Sequence, residues 1–518
     1  MNDPRTSFLS SVTGSNTEVL SDLINGTIIR ISVCPEVCAT FAGQVLAYQL
    51  ATITARLFDR VELNGDDTVA CHPLFSLLTG SFLPALRSLI PSLRPFTPSP
   101  TENSNVVHII IGQGLNEAGA IYLGASGWTA SYSIIEPQHV SDTLNPIGAL
   151  SAGTLGASEI FKNIFNGRLH GALNAPSYTL SMLDYSSSPE SEPLLPDQIT
   201  IDATLFGCGS IGCGLLQGIL LTFQLYGKLA IVDNGRFDTK NPYKYSLIDW
   251  ATAQQAPFKS VWAQQQMLAF AKGRLKPLAF VGTAETYIAS LPYDYKLPLA
   301  ISAVDTIEAR FEIQDTLPRR ILNAGIEGTL AMVSVHNFGD GPCLACLGMQ
   351  TDLESWNAKP IANATGLSPE RVYELIRRNE EMTTTDIETI RTRGVSVAQT
   401  VESLDSFVGQ PLLSLWNRLA YSETVVNTGG TVPVQVQVTT AFVSAFAGVL
   451  LLSELIKDSV KELEKYKVSN SYQQQLLGIP AAGTFKHQRE LQGWCLCHSS
   501  YRKAIYAEKY EYSSNIKS

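Results

Sequence analysis

The residues of this 518-residue chain whose spacing most clearly suggests chemistry are Gly207, Gly209 and Gly212, in the run GCGSIG. Glycines so spaced let the chain leave a strand by a tight turn, bring phosphates against bare backbone, and pack the next helix closely on the sheet. The start of that helix offers unbonded amides, which suit an anion. Asp233 comes 21 residues after Gly212, at the end of the next apolar run. A carboxylate there can accept the hydroxyl hydrogens of a ribose. A second candidate group is made of sulfur. Cys343 and Cys346 form a C-x-x-C pair, and Cys495 and Cys497 a C-x-C pair, with His498 as a substitute ligand. Four thiolates suffice for one tetrahedral Zn2+, and a site with no open position is structural. The alternative is a set of buried free thiols.

These residues need a sheet and helices to hold them. Ile199–Phe206 is rich in β-branched and apolar residues, as a buried parallel strand requires. Helical periodicity over Ile211–Leu225 and a second strand at Lys228–Asp233 complete a strand–helix–strand unit, which implies an α/β sheet. The N-terminal third carries a weaker copy: the strand-like Val106–Gly112, then Gly112, Gly114 and Gly119. Ser-Glu-x-x-Lys occurs at Ser158–Lys162 and again at Ser453–Lys457, each time after a helix of small and apolar residues (Gly148–Ala157 and Ala441–Leu452). Two matching features in the same order predict a duplicated domain. The proline-rich, acidic Ser186–Asp197 reads as the linker between copies. The charged, amphipathic texture of 350–421, with a helix cap at Ser368, reads as a helical insertion in the second copy.

The segment Val232–Tyr245 (VDNGRFDTKNPYKY) resembles the motif after the second strand of the ThiF-type adenylating family, which activates ubiquitin-like proteins and sulfur carriers. Asn241 matches that pattern, and Lys244 stands where the family has arginine, keeping the charge but losing the planar fork. Lys259 at a helix start, Asp305 after a strand with Arg310 beyond it, Asn323-Ala-Gly325 and the pair at Cys343 follow in family order. The resemblance implies two Rossmann-like (ThiF-type) adenylation domains in a pseudo-two-fold arrangement. Residues 1–185 would be the degenerate copy, 186–198 the linker, 199–500 the active copy, and 501–518 a C-terminal tail. It implies ATP bound by Gly207, Gly209, Gly212, Asp233, Asn241, Lys259 and Asp305. Asp305 would hold Mg2+, and Lys259, Asn241 and Lys244 would be catalytic. An arginine from the paired copy often completes such sites, with Arg5 as the candidate here. The implied partner is a ubiquitin-like or sulfur-carrier protein ending in glycine, and a conjugating enzyme would follow if a thioester forms.

No cysteine lies between Cys346 and Cys495, where ubiquitin activators carry their nucleophile. Adenylation with direct hand-off, use of one of the paired cysteines as nucleophile, and replacement of the nucleophilic cysteine in this sequence all remain open. Each implied site residue also has a structural use: Asn241 can close a turn, Lys259 can be a solvated helix-start lysine, and Asp305 can cap the next helix. Net charge is −10, with 37 basic against 47 acidic residues, which argues against general nucleic-acid binding. The polar N-terminus lacks the basic and apolar regions of a signal peptide, and no apolar run reads as a membrane span, so the expectation is a soluble cytoplasmic enzyme, a ubiquitin-like-protein-activating adenylyltransferase. Two other readings use the same glycine loop: an NAD-dependent oxidoreductase, and a degenerate activator that binds a partner without chemistry.

Overall fold

A computed structural model of the chain describes residues 23–94, 105–165, 174–189, 192–337, 341–346, 440–468, 470–480 and 499–510, with short runs and single residues between 362 and 435 and at 484–485. It is a mixed α/β protein with two sheets in which parallel pairings predominate. The first contains β1 (Thr27–Val33), β2 (Arg60–Asn64), β3 (Asn105–Ile111), β4 (Ile121–Ser126), β5 (Thr129–Ser133) and β6 (Ser177–Ser181), in the order β2-β1-β3-β4-β5-β6. The second contains β7 (Ile199–Phe206), β8 (Leu225–Val232), β9 (Leu275–Phe280), β10 (Leu299–Ser302), β11 (Arg320–Glu327) and β12 (Leu330–Asn337). A two-residue ladder, β13 (Val425–Val426) with β14 (Val434–Gln435), lies apart from it, and β15 (Ser471–Gln475) and β16 (Thr484–Phe485) complete it in the order β16-β15-β12-β11-β10-β7-β8-β9.

The two orders repeat one plan. In each sheet three successive parallel pairings are followed by two antiparallel ones: β2-β1-β3-β4-β5-β6 in the first, β8-β7-β10-β11-β12-β15 in the second. The counterpart of β7 is therefore β1, and β3, the strand expected at Val106–Gly112, matches β10. Strand β1, TIIRISV, has inner positions buried on both faces as in an interior parallel strand. Glycine spacing after β3 pointed to the wrong strand because Gly112 (φ +101°) serves a close approach to Cys34 and Val37, which a Cβ would meet at 3.0 Å.

Helices join the sheets: α1 (Phe41–Leu57), α2 (Ile147–Ile164), α3 (Ser210–Leu221), α4 (Lys259–Phe270), α5 (Ile307–Asp315), α6 (Thr384–Arg393), α7 (Ala441–Ser459) and α8 (Ser500–Tyr510). Helices α1, α2, α3 and α7 are buried along almost their whole length, as expected of helices apolar on every side and placed between layers. α7 packs on both α3 and α2, and α2 packs on α1. One apolar cluster runs through both sheets and these four helices.

The repeated Ser-Glu-x-x-Lys motifs make reciprocal contacts. From α2, Ser158 Oγ donates to the Leu476 carbonyl (2.5 Å) and Lys162 Nζ to that of Gly478 (3.4 Å), just after β15. From α7, Ser453 Oγ donates to the Met182 carbonyl (2.6 Å) and Lys457 Nζ to that of Leu183 (2.9 Å), just after β6. Each lysine pairs within its helix with the motif glutamate, Glu159 at 2.6 Å and Glu454 at 2.5 Å. Each glutamate also accepts a tyrosine hydroxyl, from Tyr178 and Tyr185 respectively. The segment expected as a linker is fastened at Glu192, which accepts from Ser126 Oγ (2.7 Å), and at Pro193, whose carbonyl accepts from Trp128 Nε1 (2.8 Å).

Between β12 and α7 the described residues include α6 and a separate apolar cluster of Leu367, Val372, Leu375, Ile387, Ile390 and their neighbours. Ser368 Oγ accepts from the Arg371 amide, which is a helix cap, and Arg371 forks onto Asp386. α8 lies against the second sheet's periphery, where Tyr510 and Tyr506 hydroxyls bond the carbonyls of Leu317 and Arg319. Among the described residues no helix is long and apolar enough to cross a membrane.

Candidate functional site

The three loop glycines do three different things. Gly207 has φ +91°, and a Cβ there would stand 2.6 Å from the Ala303 carbonyl oxygen, so the turn out of β7 accepts only glycine. A Cβ on Gly212 would come within 2.3 Å of the Gly207 carbonyl oxygen, so α3 sits directly on the loop. At Gly209 a Cβ would meet nothing nearer than the Tyr245 hydroxyl at 4.0 Å. That bare backbone at the start of a twelve-residue helix fits a phosphate chain.

Asp233 follows β8 directly, one residue beyond the strand. Its two carboxylate oxygens accept from the Cys208 amide (2.6 Å) and the Gly235 amide (2.7 Å), so it bridges the glycine loop and the loop after β8. Its carbonyl accepts from Ser260 Oγ (3.0 Å), and the Gly235 carbonyl accepts from the Lys259 amide (2.9 Å). These bonds seat the N-terminus of α4 beside the glycine loop. Lys259 Nζ then donates to the Tyr245 hydroxyl at 3.2 Å and lies 3.4 Å from a Cβ placed on Gly235. Tyr245 itself has its pKa raised by burial, with the Cys213, Cys208, Asp233 and Asp238 side chains adding to the shift. Sequence reasoning missed this tyrosine: it sits inside the quoted motif, but only the folded loop turns it toward Lys259.

The remaining expected residues lie on the loops that follow β8 and β10. Asn241 Oδ1 accepts from the Asp238 amide and its Nδ2 donates to Asp238 Oδ1, both at 3.0 Å, so its side chain closes the 238–241 turn. Lys244 ends the short 3-10 turn Asn241–Tyr243, and burial lowers the pKa of its ammonium while Asp238 pulls it back up. Asp305 is exposed between β10 and α5. The cap of α5 is Thr306, whose hydroxyl accepts from the Ala309 amide, so Asp305 is not needed for capping. Arg310 Nη2 donates to the Val304 carbonyl at 3.2 Å and fastens the segment that carries Asp305. Arg5 lies outside the described residues.

The thiols flanking the glycine loop, Cys208 and Cys213, are fully buried. The hydrogen bond with Cys213 and then burial push the Cys208 thiol well up, so it stays protonated and is a poor nucleophile. Cys343 and Cys346 lie side by side, with sulfurs 3.6 Å apart. Tetrahedral zinc with Zn–S bonds of about 2.3 Å has S–S edges of about 3.8 Å, so this pair fits one edge of such a site. Cys495, Cys497 and His498 fall outside the described residues. Among the described residues no three His, Cys, Asp or Glu side chains group as metal ligands.

Residues 28–182 match a family model described as the BilD N-terminal domain. The uncharacterized protein y4jF of Sinorhizobium fredii (strain NBRC 101917 / NGR234) is 28% identical over 400 residues, covering 75% of this chain and 74% of that protein. Among solved structures, E. coli MccB matches at 12% identity and TM-score 0.30, over 57% of this chain and 68% of MccB. E. coli MccB with ATP matches at 14% identity and TM-score 0.24, over 31% and 48%. The complex of E. coli MccB with MccA-N7isoASN matches at 16% identity and TM-score 0.24, over 27% and 41%. The chain thus spans less than half of each of these two ligand-bound chains.

Proposed function

We propose that the protein is an ATP-dependent enzyme that adenylates the terminal carboxylate of a peptide or small protein, the finer reading being a ubiquitin-like or sulfur-carrier protein ending in glycine. The observation that carries the proposal is the convergence of Gly207–Gly212, Asp233 and Lys259 through the bonds at Cys208, Gly235 and Tyr245. A carboxylate for the ribose, bare backbone for phosphates and a lysine linked by one set of hydrogen bonds form the set this chemistry needs. The family order of Asn241, Lys244, Asp305 and the cysteine pair supports it further.

In the reaction an oxygen of the substrate carboxylate attacks the α-phosphorus of ATP, the bond to the β-phosphate oxygen breaks, and pyrophosphate leaves. Both reactants are anions, so charge neutralisation and in-line placement supply the rate. Lys259 would neutralise the phosphates from the start of α4. The amides at the start of α3 would hold them, and Asp233 would fix the ribose. Asp305, exposed on the segment packed against Gly207, would hold Mg2+, which neutralises phosphate charge when bound. Lys244 and Asn241 would act once their turn opens toward nucleotide. Cys343 and Cys346 would supply half of a structural Zn2+ site. In the same reading residues 1–185 form a degenerate copy related to residues 199–500 by a pseudo-two-fold axis, with the insertion as a separate lobe.

The test is isotope exchange between pyrophosphate and ATP. Exchange that requires an added protein or peptide with a free terminal carboxylate is the expected result. A wild-type protein that binds ATP at cellular concentration but catalyses no exchange across ubiquitin-like, sulfur-carrier and short-peptide substrates would refute it. That outcome would favour a second reading, a non-catalytic partner-binding homologue, for which the commitment of the Asn241 side chain to Asp238 speaks.

A further inference from the structure

The site loop of the second half is held from the first half by a buried guanidinium. Arg56 lies in the last turn of α1 and is 1% exposed. Its Nη1 donates to the carbonyls of Pro242 and of Ile248 (2.9 Å), and its Nη2 to that of Ser246 (2.8 Å). In sequence Lys244 and Tyr245 lie between Pro242 and Ser246, and the Tyr245 hydroxyl accepts from Lys259 Nζ. We propose that Arg56 is a positioning residue: it fixes the 241–248 loop from across the junction, so that the nucleotide site is complete only when the two halves are joined. The functional arm of this inference rests on the adenylation reading above; the structural arm does not.

Three features make this more than packing. A guanidinium is expensive to bury, and these carbonyls repay it only in one loop geometry, so the contact specifies shape. Its charge is kept at neutral pH: burial lowers its pKa to about 10, with Tyr48, Cys213 and Asp249 pulling it upward. The two ends of the helix pair also differ. At the end of α3, Gln224 reaches the first half with a neutral 3.4 Å bond to the Leu144 carbonyl, whereas Arg56 at the end of α1 brings a charged fork to three carbonyls of one loop.

The test uses the full-length protein with Arg56→Gln, Arg56→Lys and, as a control for general destabilisation of the first half, Ile31→Val. Ile31 is fully buried in β1. Amide hydrogen exchange should be at least ten-fold faster across 241–248 in Arg56→Gln, with β1 and β7 unchanged, and wild-type-like there in Ile31→Val. Equilibrium ATP binding should weaken at least ten-fold in Arg56→Gln, with Ile31→Val unaffected. Arg56→Lys keeps the charge and loses the fork, so it should be intermediate in both readouts, and it carries the test should Arg56→Gln not accumulate folded. Loop exchange that matches wild type, or accelerates only in step with the whole molecule, overturns the inference. ATP binding unchanged in the Arg56 variants overturns it as well. A wild-type protein without ATP affinity would instead sink the adenylation reading, and loop exchange would still decide the role of Arg56.

Discussion

Asp233 accepts two backbone amides at 2.6 and 2.7 Å, and hydrogen bonds to a charged acceptor are worth about 1.5–3 kcal/mol. Asp233→Asn turns one acceptor into a donor facing an N–H, so either the Cys208 or the Gly235 bond must break. The expected outcome is a loss of about 1–3 kcal/mol in denaturant unfolding together with at least ten-fold weaker ATP binding in calorimetry. Lys259→Ala should behave differently. Its side chain is only half-buried and makes one neutral contact, so unfolding should shift by less than about 1 kcal/mol. Pyrophosphate exchange should fall about 100-fold or more, as when one charge-stabilising group is removed. Equal exchange rates in wild type and Lys259→Ala would remove this lysine from the chemistry. The glycine loop, Asp233 and Lys259 were legible in the sequence because strand, turn and helix there are local and short-range. Arg56 was not. It lies 186 residues from Pro242, and no local pattern marks a side chain whose partners are distant backbone carbonyls.

The Ser-Glu-x-x-Lys helices were legible as a repeat, yet their role was not, since periodicity identifies a buried face without naming what covers it. Each motif bonds the turn that follows a strand of the other half's sheet, and its glutamate–lysine pair is nearly dry. Breaking one buried partner of such a pair costs about 3–5 kcal/mol, because the other charge is stranded. Lys457→Met should therefore unfold far more easily than the double change Glu454→Gln/Lys457→Met, which removes both charges; equal melting of the two would show that Glu454 finds another partner. The first pair adds a pH dependence. Burial, the leading cause, raises the Glu159 pKa, and Lys162 lowers it only partly. The folded state thus holds this proton more tightly than the unfolded chain does. Stability from this group is present below the usual carboxylate value near 4.5 and is lost as pH rises through the higher folded value. Measured against Glu159→Gln, wild-type unfolding free energy should fall with rising pH in that window, by at most about 1.4 kcal/mol per unit. A difference between the two proteins that is flat with pH, or that rises, would reverse the assignment.

At the scale of the molecule, two motifs in order suggested a repeat, and the two sheets share one order of pairings, but the strand that stands where β7 does was not marked in the sequence. Glycines mark the turn after β7, but the first sheet, with the same order of pairings, carries Cys34-Pro35-Glu36 after β1 where the second has Gly207-Cys208-Gly209 after β7. What survives there is the apolar surface. The core cluster passes without a break from Ile29 and Leu46 through Phe161 to Leu216, Phe442 and Leu477, so α1, α2, α3 and α7 form one interior built from two stretches of chain. A half expressed alone would expose two helix faces that are buried along almost their whole length, and burial is worth about 25 cal/mol per Å² of apolar surface. Among the described residues the connecting segment is fastened near its two ends, at Ser186 and at Glu192, Pro193 and Leu195, so cutting it between these points should cost little. A protease site inserted between residues 189 and 192 should yield two fragments that co-elute in size exclusion and melt in one cooperative transition. Either fragment produced alone should be insoluble, and co-expression of the two should restore the pair. Fragments that separate into folded, soluble monomers without denaturant would mean that the shared core contributes far less than its continuity implies.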